Sequence, residues 1–218
     1  MSSRILTIVL STGLALSLIV FFGSYANTFR FPGNNEGYEP VQPIAFSHRL
    51  HAGELGIACL NCHSAAERSR NAGIPSANVC MNCHRFVTAP YVDVKAEDDL
   101  ASKEKRTPRR IISPEIQKIY QALALDADLK PDPHRRSEPI EWVKVHNLPA
   151  FVYFDHSAHV TAGVECQICH GPVETMERVR QVSDLSMGWC VNCHRDANAN
   201  GIAGKRVYAS TDCSICHH

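Results

Sequence analysis

The chain has 218 residues, and its 22 Lys and Arg balance 22 Asp and Glu, which gives a formal net charge of zero. This balance argues against a nucleic-acid-binding protein, which normally carries a basic surface. Charged residues at 20% and hydrophobic residues at 44% exclude a wholly disordered chain. Aromatic residues, at 7%, are few for a core built from side chains alone, whereas 10 Cys and 12 His stand out. The composition therefore predicts that cofactors fill part of the interior.

A mostly apolar run, residues 5–22, follows Arg4 near the N-terminus. The run is long enough to span a membrane, and Arg4 together with the amino terminus favours a cytoplasmic start. A cleaved signal peptide is the alternative, because residues 24–26 end in a small-x-small pattern. We expect a retained single-pass anchor in the cytoplasmic membrane. Both interpretations place the rest of the chain on the periplasmic side.

All ten cysteines lie in five Cys-x-x-Cys-His motifs, the pattern of covalent haem c attachment. Within one helical turn, the two thiols can add to the haem vinyl groups while the histidine ligates the iron as its proximal ligand. Zinc sites and disulfides are the alternatives, but a zinc site needs about four ligands and neither alternative requires a histidine after every pair. The sequence predicts five covalently bound haem c groups. The attachment cysteines are Cys59, Cys62, Cys80, Cys83, Cys166, Cys169, Cys190, Cys193, Cys213 and Cys216, and the proximal histidines are His63, His84, His170, His194 and His217.

A Phe-x-His-x-x-His element precedes the first and the third motif and forms an internal repeat. The first copy, residues 46–51, reaches Cys59 after seven residues, and the second, residues 154–159, reaches Cys166 after six. A histidine opposite the proximal one saturates the iron and makes an electron carrier, whereas an open position makes an enzyme or a gas binder. The predicted distal histidines are His48, His51, His156 and His159.

This spacing resembles the small multihaem cytochromes of the c3 and c7 type. The resemblance implies that the first histidine of each element ligates the haem attached next, so His48 serves the first haem and His156 the third. His51 and His159 then cross to other haems, most plausibly the second or the fifth. The predicted fold is mostly α-helical and irregular, with c3/c7-like haem modules, little regular secondary structure and one N-terminal transmembrane helix.

The four histidines leave one distal ligand to be found. Met176 lies 14 residues before Cys190, far enough for the chain to turn back, and we predict that it ligates the fourth haem. Met187 lies only three residues before Cys190, a short tether for reaching around the edge of its own haem. His146 is the alternative ligand, although residues 142–146 are predicted to be a strand packed on a haem.

The segment between the two haem modules lacks cysteine and is rich in charge. Ser113 and Pro114 have the signature of an N-cap and a first helical position, and they predict one amphipathic helix there. We expect its apolar face to pack on a haem or on an adjoining subunit, and the basic run 103–110 to be solvated. The predicted divisions of the chain are the anchor 1–26, a leash 27–43, a module with the first two haems 44–90, the charged spacer 91–148 and a module with the last three haems 149–218.

The membrane helix, the five motifs and the stretch 164–195 together resemble the pentahaem cytochrome c subunit (ActA) of alternative complex III, a bacterial quinol:electron-acceptor oxidoreductase. The sequences around 169–173 and 187–190 carry the resemblance most clearly. It implies an electron-transfer subunit that is not itself an enzyme. Its partners would be the iron–sulfur, molybdopterin-like subunit and the membrane subunits of the complex, with a cytochrome c, a copper protein or an oxidase downstream.

Three other classes of protein compete with this interpretation. A NapC/NrfH-type quinol dehydrogenase also has one membrane helix, but its Cys-x-x-Cys-His-x-Met element is absent here. A multihaem nitrite or hydroxylamine enzyme needs an open iron and usually a longer chain. A free periplasmic carrier is the alternative if the anchor is cleaved.

Overall fold

The computed structural model describes residues 3–25 and 35–217, so part of the predicted leash lies outside the described residues. The N-terminal helix α1 covers Ser3–Tyr25, and its 23 residues at about 1.5 Å each span about 34 Å. Within it, the hydroxyls of Ser11 and Thr12 donate to the carbonyl of Ile8 at 3.0 and 2.8 Å. These bonds satisfy the polar side chains inside the helix, which suits an apolar environment. The helix is long and apolar enough to cross a membrane.

Short helices joined by irregular segments make up the described chain after α1, and no β-strand occurs in 35–217, where isolated bridges are the only β pairing. This confirms the predicted fold class. The α-helices are α2 Cys59–Cys62, α3 Ala77–His84, α4 Tyr91–Lys103, α5 Pro114–Ala122, α6 His156–Thr161, α7 Cys166–His170, α8 Met187–Asn200 and α9 Cys213–Cys216. A π-helix covers Arg49–Glu54, and 3₁₀ turns cover Ser64–Glu67 and Val173–Thr175.

The side-chain core of the molecule lies between α3 and α5. Helix α5 begins as predicted, since the Ser113 hydroxyl accepts a hydrogen bond from the backbone N–H of Ile116 and Pro114 occupies the first turn. Its buried residues Ile119 and Tyr120 pack with Ile44 and with Met81 of α3. The apolar face of α5 was expected to contact a haem or another subunit. Part of this face packs on α3, the helix that carries the second haem motif, and the expected contact with a haem or a subunit stays a prediction.

The spacer contains a second helix, α4, that sequence analysis did not predict. The basic run after it was expected to be solvated, but part of the run folds back onto α4. The Arg106 guanidinium forms an ion pair with Glu97 at 2.5 Å, and the backbone N–H of Arg109 donates to the same carboxylate at 2.8 Å. These bonds close the turn after α4.

The predicted strand at residues 142–146 is irregular. The side-chain amide of Gln42 makes both hydrogen bonds that a neighbouring strand would make to Val143, donating to its carbonyl at 3.0 Å and accepting from its N–H at 2.9 Å. One glutamine side chain therefore satisfies both backbone groups of Val143 without a neighbouring strand.

Backbone contacts join the two haem modules directly. The N–H groups of His156 and Ser157, at the start of α6, donate to the carbonyls of Arg70 and Ser69 at 3.1 and 3.2 Å. The Val173–Thr175 turn lies against the π-helix so closely that a Cβ at Gly53 would collide with the Glu174 carbonyl. These contacts hold the two modules directly against each other.

Candidate haem-binding sites

The two copies of the Phe-x-His-x-x-His element share their local structure as well as their sequence pattern. In the first copy the ring of Phe46 stands edge-on to His48 at 4.9 Å and stacks on His51 at 4.3 Å between centroids. In the second copy Phe154 meets His156 edge-on at 4.8 Å and stacks on His159 at 4.5 Å. The phenylalanine therefore fixes the orientation of both imidazoles.

The two copies differ in helix type for a reason that the sequence contains. The first copy has one more residue before its cysteine than the second, and it forms the π-helix, in which the N–H of Leu55 bonds to the carbonyl of Leu50 at 2.9 Å. The second copy forms the ordinary α-helix α6. A π-turn accommodates one inserted residue while keeping the histidines on the same face.

All ten cysteines are free thiols, so every Cys-x-x-Cys pair remains available for thioether bonds to a porphyrin. Burial and the neighbouring Cys193 and Cys190 thiols raise the pKa of the Cys169 thiol to about 11. Burial also raises the pKa of Cys80 and Cys190. Four of the ten thiols are exposed and the other six are half-buried. Accessible thiol pairs, each followed by a histidine, form a donor set that fits haem c, and the described residues contain no His, Cys, Asp or Glu cluster of the kind that holds a structural zinc ion.

Backbone carbonyls hold most of the proximal imidazoles through Nδ1. His63 donates to Gly73 at 2.8 Å, His84 to Val87 at 2.8 Å and His194 to Ser210 at 2.6 Å. A proton fixed on Nδ1 leaves Nε2 unprotonated, which is the form that binds a metal. The same bond occurs on distal candidates, in which His51, His156 and His159 donate to the carbonyls of Ser47, Arg70 and Asp155 at 2.9, 2.9 and 2.7 Å.

At three of the motifs a second imidazole lies at a centroid distance that matches two ligands of one iron. A metal–imidazole bond is about 2.0–2.1 Å, and a five-membered ring with bonds near 1.33 Å has a radius of roughly 1.1 Å. Two such bonds and two such radii place the ring centroids about 6.3 Å apart. The observed separations are 6.1 Å for His51–His84, 6.4 Å for His156–His170 and 6.0 Å for His159–His194.

These pairs place His51 at the second motif, His156 at the third and His159 at the fourth. The position of His159 differs from the expectation that it would cross to the second or the fifth haem. It also occupies the place opposite His194 that the sequence assigned to Met176. The crossing is the same in both modules, because each element supplies its second histidine to the next motif along the chain.

His48 lies beside the first motif. Burial, followed by the charge of His63 and of His51, lowers its pKa to about 4, so its imidazole is neutral at neutral pH. Its Nδ1 is buried without a hydrogen-bond partner among the described residues. A buried neutral imidazole next to a proximal histidine could bind the iron of a haem attached at the first motif.

His146 contacts the proximal histidine of the third motif, His170, at its Nδ1 atom. Its Nε2 accepts a hydrogen bond from Nδ1 of His170 at 3.1 Å, and the two rings meet edge-on with centroids 4.3 Å apart. This contact replaces the backbone carbonyl found at the first, second and fourth motifs. Burial, then the charges of His146 and His156, lower the pKa of His170 to about 4. His146 therefore orients the third proximal ligand and is not placed as a distal one.

The two methionines considered as ligands have opposite environments. Met176 is 8% exposed, and its carbonyl accepts from the N–H of Arg49 at 2.9 Å, which ties it to the first module. Met187 is 68% exposed at the first position of α8. It lies one turn before Cys190 and so on the same helix face.

Several contacts could not be found from the sequence. The backbone carbonyls that accept hydrogen bonds from the proximal histidines cannot be recognised in the sequence, since every residue has a carbonyl. They belong to Gly73, Val87 and Ser210. The hydroxyl of Tyr120 donates to the carbonyl of His84 at 2.5 Å, and only the helical spacing of Tyr120 hinted at its burial. The contact of His146 with His170 joins residues 24 positions apart.

The motifs, the free thiols and the facing imidazoles define a multihaem c-type cytochrome with a cytochrome c7-like domain. Residues 152–218 match the family model described as cytochrome c7 and related cytochrome c, a family that implies covalently bound haem c. The chain is also 24% identical over 196 residues to the multihaem cytochrome c subunit of a menaquinone reductase from Nitratidesulfovibrio vulgaris. That alignment covers 81% of this chain and 76% of the relative, so the likeness includes the first module as well as the last.

Proposed function

We propose that the protein is a membrane-anchored pentahaem cytochrome c that relays electrons between a quinol-oxidising respiratory complex and a downstream periplasmic acceptor or oxidase. The observation that carries the proposal is the set of three imidazole pairs at 6.0–6.4 Å, each containing one histidine of a Cys-x-x-Cys-His motif. Irons with two imidazole ligands have no position open for a substrate, and such sites suit electron transfer.

The residues of the chain divide the work of the relay. When bound, haem supplies a one-electron couple. The cysteine thiols would attach each haem covalently, and the proximal and distal imidazoles would bind its iron. The Nδ1–H bonds to carbonyls keep Nε2 available and raise the basicity of the ligand. Phe46 and Phe154 restrict the imidazoles on which they stack, so the ligands need little rearrangement when the charge changes.

The proposed ligand pairs are His63 with His48, His84 with His51, His170 with His156 and His194 with His159. His217 of the fifth motif needs a partner of its own. We assign it Met187 in place of Met176, because Met187 is exposed on the face of α8 that carries Cys190, and the thiols of Cys190 and Cys216 interact. A methionine ligand raises the potential of a haem. The fifth haem would then attract electrons within the relay.

The proposed partners follow from two likenesses. The resemblance to the ActA subunit supports an iron–sulfur subunit as donor, with membrane subunits beside α1. The similarity to a subunit of a menaquinone reductase supports a quinone-linked complex, and it favours a second candidate, a relay that delivers electrons toward menaquinone. The same six-coordinate haems could pass electrons from a quinol or toward a quinone, so the partner proteins decide the direction of electron flow.

The test uses the complex extracted from membranes with the full chain in place. Intact mass of the chain should exceed that of the polypeptide by five haems, and low-temperature spectra should show every iron low-spin. Anaerobic addition of a menaquinol analogue should reduce the haems if the first candidate holds. Pre-reduced haems that are oxidised by the quinone, with no reduction by the quinol, would favour the second candidate. A high-spin iron in the intact complex would contradict the saturated relay.

A further inference from the structure

The two histidines of each repeated element connect neighbouring attachment sites. His48 and His51 are three residues apart and share one helix face. His51 faces His84 of the second motif at 6.1 Å, and His48 lies beside His63 of the first. One helical turn therefore reaches both sites, and the first and second haems must be neighbours.

The second copy makes the same connection one module later. His156 faces His170 of the third motif at 6.4 Å, and His159 faces His194 of the fourth at 6.0 Å. The rings of His156 and His170 are parallel to within 8°. The third and fourth haems are thus joined through α6 in the way that the first and second are joined through the π-helix.

The two modules meet at the first and third motifs. The thiol of Cys166 lies within hydrogen-bonding reach of the thiol of Cys59. The imidazole of His156 donates to the carbonyl of Arg70, seven residues after His63. Haems attached at these two sites would therefore be neighbours.

The fifth motif is held next to the fourth. His194 donates through Nδ1 to the carbonyl of Ser210 at 2.6 Å, three residues before Cys213. The side chain of Asn198 bonds to both the N–H and the carbonyl of Ala209, at 2.8 and 2.7 Å. Helix α8 therefore carries the fourth motif and also positions the chain that enters the fifth.

We infer that the five attachment sites form one row in which the spatial order is second, first, third, fourth, fifth. The inference rests on the proposed covalent attachment of five haems. The spatial order differs from the chain order only at the beginning. The first site contacts the third through Cys59 and Cys166, so the second site, which receives His51, lies on the other side of the first. The second and fifth haems are the ends of the row, and every electron that passes between the ends crosses the contact between the first and third sites.

The direct test locates the five irons in crystals of the mature protein or its complex by anomalous scattering at the iron edge. The expected result is that each iron of the row has its nearest neighbours in the order given, with the third iron central. Five irons with the second iron adjacent to the third or the fourth would overturn the order and leave the proposed function intact. Fewer than five irons in fully matured protein would refute the covalent attachment itself.

A matched pair of variants tests the same order in solution. His156→Met at the centre and His51→Met at one end each exchange one imidazole for a thioether and raise one midpoint potential. Because the charge of a haem acts most strongly on its direct neighbours, the central variant should shift two of the other four midpoints and the end variant one. Equal numbers of shifted midpoints in the two variants would contradict the row. The haem mass of each variant confirms that all five groups remain attached.

Discussion

Replacing Tyr120 by phenylalanine tests the link between the side-chain core and the second haem motif. The Tyr120 ring is 2% exposed, and its hydroxyl donates to the carbonyl of the proximal ligand His84 at 2.5 Å. Burial raises the pKa of this hydroxyl, so it remains a donor throughout the physiological range. Tyr120→Phe keeps the ring and removes only the donor.

The expected loss follows from the carbonyl that is left behind. Removing one partner of a buried hydrogen bond costs about 1–3 kcal/mol, because the other partner stays desolvated. In a domain of 150–250 residues, 1 kcal/mol corresponds to about 2–4 °C in melting temperature, so a loss near 2 kcal/mol lowers it by about 4–8 °C. Thermal unfolding followed by far-UV circular dichroism measures this shift in the mature protein.

Tyr208→Phe is the matched control, since that side chain is 90% exposed. It should leave the melting temperature unchanged, and both variants should retain their full haem mass. Equal melting temperatures for Tyr120→Phe and the parent protein would refute the reasoning. So would an equal decrease in Tyr208→Phe, because the effect would then not depend on the contact with His84.

Three further predictions concern a ligand, a carboxylate and the anchor. Met187→Leu should abolish the methionine-to-ferric charge-transfer band at the red end of the visible spectrum, and Met176→Leu should leave it in place; the opposite result would restore Met176 as the ligand. Hydrogen bonds from Arg106 and Arg109 lower the pKa of Glu97 to about 2 from 4.5, so its ionised form stabilises the fold above pH 4.5 and this contribution is lost as the pH falls toward 2. Glu97→Gln should therefore flatten the pH dependence of the melting temperature between these two values, and an unaltered profile would show that the ion pair contributes nothing. The mature protein should require detergent for extraction, whereas N-terminal sequencing that begins at Asn27 would show that the apolar helix is removed.

The local chemistry of the sites could be predicted from the sequence because its rules act within one turn of helix. Cys-x-x-Cys-His and Phe-x-His-x-x-His are short patterns, and the N-cap of α5 at Ser113 depends on its immediate neighbours. The resemblance to c3- and c7-type cytochromes implied that the second histidine of each element would cross to another motif. The motif it reaches depends on how the loops fold, and the sequence does not state this for His159.

Two features of the fold, the irregular segment 142–146 and helix α4, were not predicted from the sequence. Residues 142–146 alternate in a way that predicts a strand, but Gln42 satisfies Val143 in place of a neighbouring strand. Helix α4 was not predicted within a segment rich in charge, although Lys95 and Asp99 form an ion pair one turn apart on it. The signal was present in the spacing of opposite charges, a pattern that stabilises helices only weakly.

The uneven placement of the side-chain core has a consequence for how the protein matures. The cluster of Ile44, Met81, Ile119 and Tyr120 lies within residues 44–120, whereas in residues 149–217 the buried apolar side chains are Met176 and Ala197. A newly made chain can thus collapse around the α3–α5 contact before any haem is attached. The last three motifs have no comparable nucleus, so they stay open to the attachment machinery until their thioethers form. A shortage of haem should therefore leave this C-terminal stretch more sensitive to proteolysis than the segment before it.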